Sequence, residues 1–152
     1  MSARTISKQE LATEVGRLWG DLVAHSKRTI RPLLEREGVT MPQAHVLQAL
    51  HAAGGRQAAS DLGRECHMLA STVTGVIDRL EHAGYVRRER DSRDRRVVLV
   101  TLTETGDELV SRLPKFWELM GRWFTVLPAR EIEQMRESLL RVLAAAENGG
   151  ER

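Results

Sequence analysis

The sequence predicts a mostly α, α+β chain in which one β-hairpin interrupts a succession of helices. Three observations carry this reading. Apolar residues recur at helical spacing up to residue 80 and again from residue 104 onward. Between residues 85 and 102 the period shortens to that of strands, around a turn dense in charge. Gly54-Gly55 and Gly84 stand where the helical patterns run out. The 152 residues are enough for one domain with a buried core, and 41% hydrophobic residues is an ordinary share for a globular chain. The longest apolar run, residues 142–146, is five residues and far too short to cross a bilayer. The opening MSARTISKQE lacks the apolar stretch of a secretory leader, which points to the cytoplasm. A single cysteine excludes an internal disulfide framework.

Taken in order, Ser7-Lys8-Gln9-Glu10 has the form of a capping box. Leu11, Val15, Leu18, Trp19, Leu22 and Val23 follow on one helical face. This first helix is expected to end near Thr29, because the residue before Pro32 resists helical geometry. Thr40-Met41-Pro42 starts a second helix with Val46, Leu47 and Leu50 inward. Leu62 and Cys66 mark a short third helix, and Val73, Val76, Ile77 and Leu80 the inner stripe of a fourth that Gly84 stops. Residues 85–90 and 96–102 read as two strands. Thr103-Glu104-Thr105-Gly106 opens a fifth helix carrying Leu109, Val110, Leu113, Phe116, Trp117 and Met120 inward, with Pro114 expected to kink or reseat it. A last helix from about Ala129 places Ile132, Met135, Leu139, Val142 and Leu143 on one stripe.

Charge and aromatics are unevenly placed. The net charge is only +2, yet residues 87–96 hold six arginines and three acids. Arginine outnumbers lysine 20 to 3; a GC-rich codon habit could produce that excess, although the planar guanidinium also suits phosphates and base edges. Five of the six aromatics, Trp19, Phe116, Trp117, Trp123 and Phe124, lie toward the two ends, and only Tyr85 lies in the middle. A basic middle between aromatic-bearing ends suggests a working module held by structural segments.

Two short helices, a tight turn and a hairpin compose a winged helix-turn-helix, which sets its second helix in a major groove with the hairpin beside it. Burying Val73, Ile77 and Leu80 leaves Ser71, Thr72, Thr74, Gly75, Asp78 and Arg79 facing outward. Short hydroxyl side chains and a glycine permit close approach to base edges and phosphates. Serine and threonine also cap helix starts, which accounts for some of them without any ligand.

The run Ser71-Thr72-Val73-Thr74-Gly75-Val76-Ile77-Asp78-Arg79-Leu80-Glu81, with Ala83-Gly84-Tyr85-Val86 after it, resembles the recognition helix of the MarR (multiple antibiotic resistance) regulators. Asp91-Ser92-Arg93-Asp94-Arg95-Arg96 is similar to that family's wing pattern Asp-x-Arg-Asp-x-Arg, and Leu102-Thr103-Glu104-Thr105-Gly106 to its Leu-Thr-x-x-Gly. The resemblance implies a homodimer joined by its N-terminal helix (1–36) and C-terminal helices (104–152), with residues 37–103 as the DNA-binding domain. It further implies a repressor on a pseudo-palindromic double-stranded DNA operator, released by a small aromatic or anionic effector. Arg93 and Arg95 become the arginines expected to enter the minor groove, with Arg90 beside them and Arg96 paired to Asp94. Asp91 and Asp94 are expected to orient the wing by holding some of its arginines. Trp19, His45 and Trp117 fall on elements that line the family's effector pocket, where packing of the dimer is the simpler role for the tryptophans. Arg17, Arg28 and Arg31 are further candidates to neutralise an anion.

The chain departs from the family in one turn. Where Leu-Gly-Val-Ser-Pro is common, it has Cys66-His67-Met68-Leu69-Ala70. His67 is expected to take the left-handed conformation of the glycine it replaces. Leu69 cannot cap through its side chain, so Ser71 is expected to cap one or two residues late. Cys66 takes the place of a core leucine, and a buried thiol without an electropositive neighbour is inert rather than a redox sensor. The five histidines are scattered without metal-ligand spacing, so neither a metal nor a cofactor is expected. No phosphate-binding glycine loop and no nucleophile–base pattern suggests an enzyme. The alternatives are a winged helix used for protein–protein contact, which an arginine-rich wing disfavours, and a DNA-binding activator that needs no ligand.

Overall fold

The structure is a computed structural model and describes residues 6–149. It contains, in order, α1 (Lys8–Arg36), α2 (Met41–Ala52), β1 (Arg56–Ala58), α3 (Ala59–Glu65), α4 (Ala70–His82), β2 (Val86–Arg90), β3 (Val98–Leu102), α5 (Glu104–Arg112), α6 (Phe116–Phe124) and α7 (Ala129–Gly149). The mostly helical reading with one hairpin holds. The chain divides into two compact units, one ending at Pro114 and the other beginning at Lys115.

In the first unit α1 opens with the expected capping box, Ser7 Oγ accepting from Glu10 N at 3.2 Å and Glu10 Oε2 from Ser7 N at 2.9 Å. It does not stop at Thr29. The helix continues through Pro32 to Arg36, because Ile30 and Leu34 are both buried and hold the helical register on either side of the proline. Pro32 itself faces solvent, where water can satisfy the carbonyl left without its helical partner. Pro114 acts differently. Leu113 before it is extended (φ −68°, ψ 143°) and buried, so α5 ends at Arg112 and α6 begins afresh at Phe116. The carbonyl of Pro114 accepts from Gln48 Nε2 at 2.8 Å, fastening this break to α2.

The core of the first unit is one apolar cluster: Val46, Leu47 and Leu50 of α2, Leu62 of α3, Val73, Val76, Ile77 and Leu80 of α4, Val100 of β3 and Leu109 of α5. Burying side chains of this size contributes about 1.5–3 kcal/mol each, which sets the orientation of α4 on α2 and α3. The hairpin pairs antiparallel, with Val86 opposite Leu102, Arg88 opposite Val100 and Arg90 opposite Val98. A third strand, absent from the sequence reading, lies on the other edge: β1 pairs with β3, Arg56 opposite Thr101 and Ala58 opposite Leu99, giving the order β1-β3-β2. Three residues are too few to show a period; the turn at Gly54-Gly55 delivers them, and Leu102 N donates to Gly55 O at 2.8 Å.

The start of α5 is fastened by the residues of Leu-Thr-x-x-Gly. Thr103 Oγ1 donates to Gly84 O at 2.7 Å and accepts from Gly106 N at 3.0 Å. A Cβ on Gly106 would stand 2.0 Å from the carbonyl oxygen of Tyr85, so no larger residue fits without moving backbone.

Uncovered apolar faces remain on two helices, taken separately. On α1, Leu11, Val15, Leu18 and Trp19 are each about half exposed or more. On α7, Leu139, Leu140, Val142 and Leu143 are exposed, and neither α6 nor α7 buries any residue. The inward stripe expected through Phe116, Trp117 and Met120 is broken with the helix: Trp117 is 75% exposed, its ring edge-on to Phe116 at 4.7 Å. Among the described residues no helix is long and apolar enough to cross a membrane.

Candidate nucleic-acid interface

The turn before α4 follows the departure noted in the sequence. His67 has φ 50°, the left-handed conformation, while His67 N donates to Arg64 O at 3.1 Å and Met68 N to Gly63 O at 2.8 Å. Leu69 is the N-cap and offers no side-chain hydrogen bond; α4 starts at Ala70, so Ser71 lies in the first turn and does not cap late. Cys66 is half-buried at the C-cap of α3, less enclosed than a core leucine. Burial and the neighbouring Glu65 carboxylate push its thiol up to about 11, so the thiolate is scarce at neutral pH.

With Val73, Val76, Ile77 and Leu80 buried, Ser71, Thr72, Thr74, Asp78 and Arg79 are exposed, and Gly75 lies half-covered among them. Ser71, Gly75 and Asp78 follow each other down the centre of this face, spaced i, i+4, i+7. Thr74 Oγ1 donates to Ala70 O at 2.8 Å, which leaves its lone pairs outward. Arg79 Nε donates to Gly75 O at 3.0 Å and lies along the helix.

An acid in the middle of this face would oppose any polyanion, but Asp78 is not alone. Arg88 Nη1 is bonded to the Asp78 carboxylate and reaches Glu81 Oε2 at 3.3 Å, while Arg88 Nη2 donates to Thr74 O at 3.1 Å. Arg88 N also donates to Glu81 Oε1 at 2.8 Å. Arg88 therefore brackets β2 to α4 and pairs with Asp78, one guanidinium serving two carboxylates. The sequence reading missed this residue. Its signal was the strand period, since Arg88 shares the inward face of β2 with buried Val86.

The wing turn is built by its two aspartates, though not in the same way. Asp94 takes Arg96 as expected, accepting from its Nε and Nη2 at 3.2 Å each and from its backbone N at 3.0 Å. Asp91 holds no arginine side chain; its Oδ1 accepts from the backbone N of Arg93 at 2.7 Å and of Asp94 at 3.1 Å. The backbone donors hold the Asp91 carboxyl below the usual carboxylate range, and Arg96 does the same for Asp94. Arg90 Nη1 donates to Arg95 O at 3.3 Å across the turn, and Arg56 pairs with Glu89 at 2.7 Å across β3. Among the described residues the guanidinium groups of Arg87, Arg93 and Arg95 make no hydrogen bond or ion pair, and all three are exposed.

The effector candidates lie on three different helices. Trp19 lies on the uncovered face of α1, His45 is half-buried on α2 with its pKa lowered by burial, and Trp117 lies on α6 in the second unit. A cavity of about 460 Å³ opens between α1 and the start of α2, lined by Lys27, Arg31, Leu34, Glu35, Val39, Thr40 and Met41. Neither Trp19 nor His45 lines it, while Arg31 does, its Nε bonded to Glu35 Oε1 at 2.7 Å. Arg17 and Arg28 also fall outside its lining. Among the described residues no group of three or more His, Cys, Asp or Glu side chains is placed to hold a metal ion.

Residues 39–98 match the model of the MarR family. The chain is 33% identical over 111 residues to an HTH-type transcriptional regulator of Bacillus subtilis, YfiV, covering 72% of this chain and 69% of that one. It is 30% identical over 115 residues to the HTH-type transcriptional repressor MdtR of the same organism, covering 75% and 74%. Among solved structures it resembles BpsR of Bordetella bronchiseptica, whose DNA binding is regulated by 6-hydroxynicotinic acid: TM-score 0.70, 30% identity, 86% of this chain and 98% of the other.

Proposed function

The chain belongs to the MarR family of transcriptional regulators, and on that premise we propose that it is a homodimeric, sequence-specific DNA-binding repressor of a pseudo-palindromic operator. Ser71, Thr72, Thr74, Gly75 and Arg79 of α4 face the major groove, and Arg93 and Arg95 at the wing tip reach the minor groove, with Arg90 and Arg96 near the phosphates. The observation that carries this is the division of charge on one surface. The acid central to the outward face of α4, Asp78, is held in an ion pair with Arg88, while two exposed arginines at the wing tip are left without a protein partner.

The uncovered apolar faces of α1 and of α7 support dimerisation through segments 1–36 and 104–152, around a DNA-binding segment 37–103. Exposed leucines at helical spacing are the surface that a second copy covers. Repression is relieved by a small aromatic or anionic effector. Similarity to BpsR supports that class, and the cavity beside Lys27 and Arg31 is of ligand-pocket size. Trp19, His45 and Trp117 serve that response through the helices that carry them. The protein works in the cytoplasm as a binding protein without catalytic activity, as its regulator relatives suggest.

The test is operator affinity across a salt titration for wild type and for Arg93→Ala/Arg95→Ala. Each arginine whose charge releases a counterion from the duplex, in the minor groove or on a phosphate, contributes about one unit to the slope of log affinity against log salt. The variant should bind more weakly and with a shallower slope. Unchanged affinity at moderate salt would show that the wing is not part of the interface.

A further inference from the structure

We propose that Leu69 is a specificity-determining residue that recognises the C5-methyl group of a thymine in the major groove, an inference that rests on the DNA-binding reading above. Leu69 is the N-cap of α4 and is 76% exposed. It takes no part in the buried stripe of Val73, Val76, Ile77 and Leu80, and it forms no side-chain cap. No fold-internal role therefore accounts for a large apolar residue at a position where Ser, Thr, Asp or Asn would stabilise the helix by capping it.

Its surroundings narrow what it can meet. The exposed apolar residues of α1 and of α7 form stripes at helical spacing, the pattern a partner helix covers. Leu69 stands by itself, with exposed Ala70, Ser71 and Thr72 following it in the chain. A solitary apolar group beside hydroxyls suits a solitary apolar target. The residues at the N-terminus of a recognition helix are the ones carried to base edges. On the major-groove edge the thymine methyl is the one apolar group among donors and acceptors. Ser71 and Thr72 then address neighbouring polar positions, and Leu69 distinguishes thymine from the other bases by the water it displaces from one methyl.

The experiment uses the full chain and a duplex enriched by it from a random double-stranded library. Each thymine is replaced in turn by deoxyuridine, which removes the methyl and keeps the base pair. At one thymine in each half-site the replacement should weaken wild-type binding about three- to tenfold, the scale of one methyl group buried per subunit. Leu69→Ala, which shortens the contact in both subunits at once, should bind the thymine duplex more weakly by up to about the square of that factor and be indifferent to uracil there. Leu69→Ser, which supplies the missing cap, should show the same indifference in a helix at least as stable. Equal uracil sensitivity in wild type and both variants, or wild-type tolerance of uracil at every thymine, would overturn the proposal. Should wild type bind tightly and Arg93→Ala/Arg95→Ala weakly while uracil is tolerated throughout, the role of Leu69 falls alone; enrichment of no duplex removes the DNA-binding reading and this inference together.

Discussion

Replacing Arg88 by alanine removes the bracket between wing and recognition helix, and its two effects can be separated. Arg88 joins the Asp78 and Glu81 carboxylates and the Thr74 carbonyl, with its own side chain 24% exposed. Exposed ion pairs contribute little, but this guanidinium is largely covered, so losing three acceptors should cost about 2 kcal/mol of stability. The effect on binding arises elsewhere. Without Arg88, Asp78 presents an uncompensated charge from the centre of the groove-facing surface. Repulsion from nearby phosphates through water is on the order of 1 kcal/mol per subunit, or about 30-fold in affinity for a dimer presenting two. Fluorescence anisotropy on the operator duplex, beside thermal unfolding, measures both. Asp78→Asn added to Arg88→Ala should recover most of the affinity and little of the stability, since Glu81 and Thr74 stay without their partner. If the double variant is folded yet binds as poorly as Arg88→Ala, Arg88 contacts DNA itself and the bracket reasoning is wrong.

Two glycines should respond in opposite directions. Gly106→Ala forces a Cβ to within 2.0 Å of the Tyr85 carbonyl oxygen, backbone against backbone, and should destabilise by about 3 kcal/mol or more in urea denaturation. A change under 1 kcal/mol would mean that α5 and the α4–β2 turn are not locked together. Gly75→Ala meets nothing nearer than an Arg79 nitrogen at 3.9 Å, and should stabilise α4 by about 0.5–1 kcal/mol while weakening operator binding. Unchanged or tighter binding by Gly75→Ala would show that the DNA does not approach this part of the helix closely.

Much of this was legible beforehand, and the failures share a cause. Capping boxes, left-handed stops and apolar stripes are local, so α2, α4 and the hairpin were found close to their true limits. Local chemistry expects Pro32 to end its helix and Pro114 to kink or reseat its own, and only the second does so, for a tertiary reason. Around Pro32 the buried residues Ile30 and Leu34 demand helix; at Pro114 buried Leu113 is satisfied in an extended conformation, and Gln48 claims the carbonyl that follows. Strand β1 depends on the free edge of β3, some forty residues further along the chain. Leu69 cannot cap, and expecting Ser71 to compensate presumes that every helix start needs a side-chain cap. An exposed start can leave its N–H groups to water or to a ligand.

The wing shows why the charge count alone misleads. Six arginines in ten residues suggest a uniformly basic tip, yet the partners each finds within the fold decide which remain available. Asp94 takes Arg96, Asp78 and Glu81 take Arg88, and Arg90 bonds the Arg95 carbonyl while keeping its charge unpaired. Asp91 takes no guanidinium at all; by gathering the backbone N–H groups of Arg93 and Asp94 it shapes the turn from which the Arg93 and Arg95 side chains extend. Half of the cluster thus builds the wing and half is free of it, with Arg93 and Arg95 at the tip. Removing an acid from this segment would raise its net charge while releasing the geometry that aims it. On the DNA-binding reading, affinity should follow the number of arginines the fold leaves unpaired, not the sum of the charges.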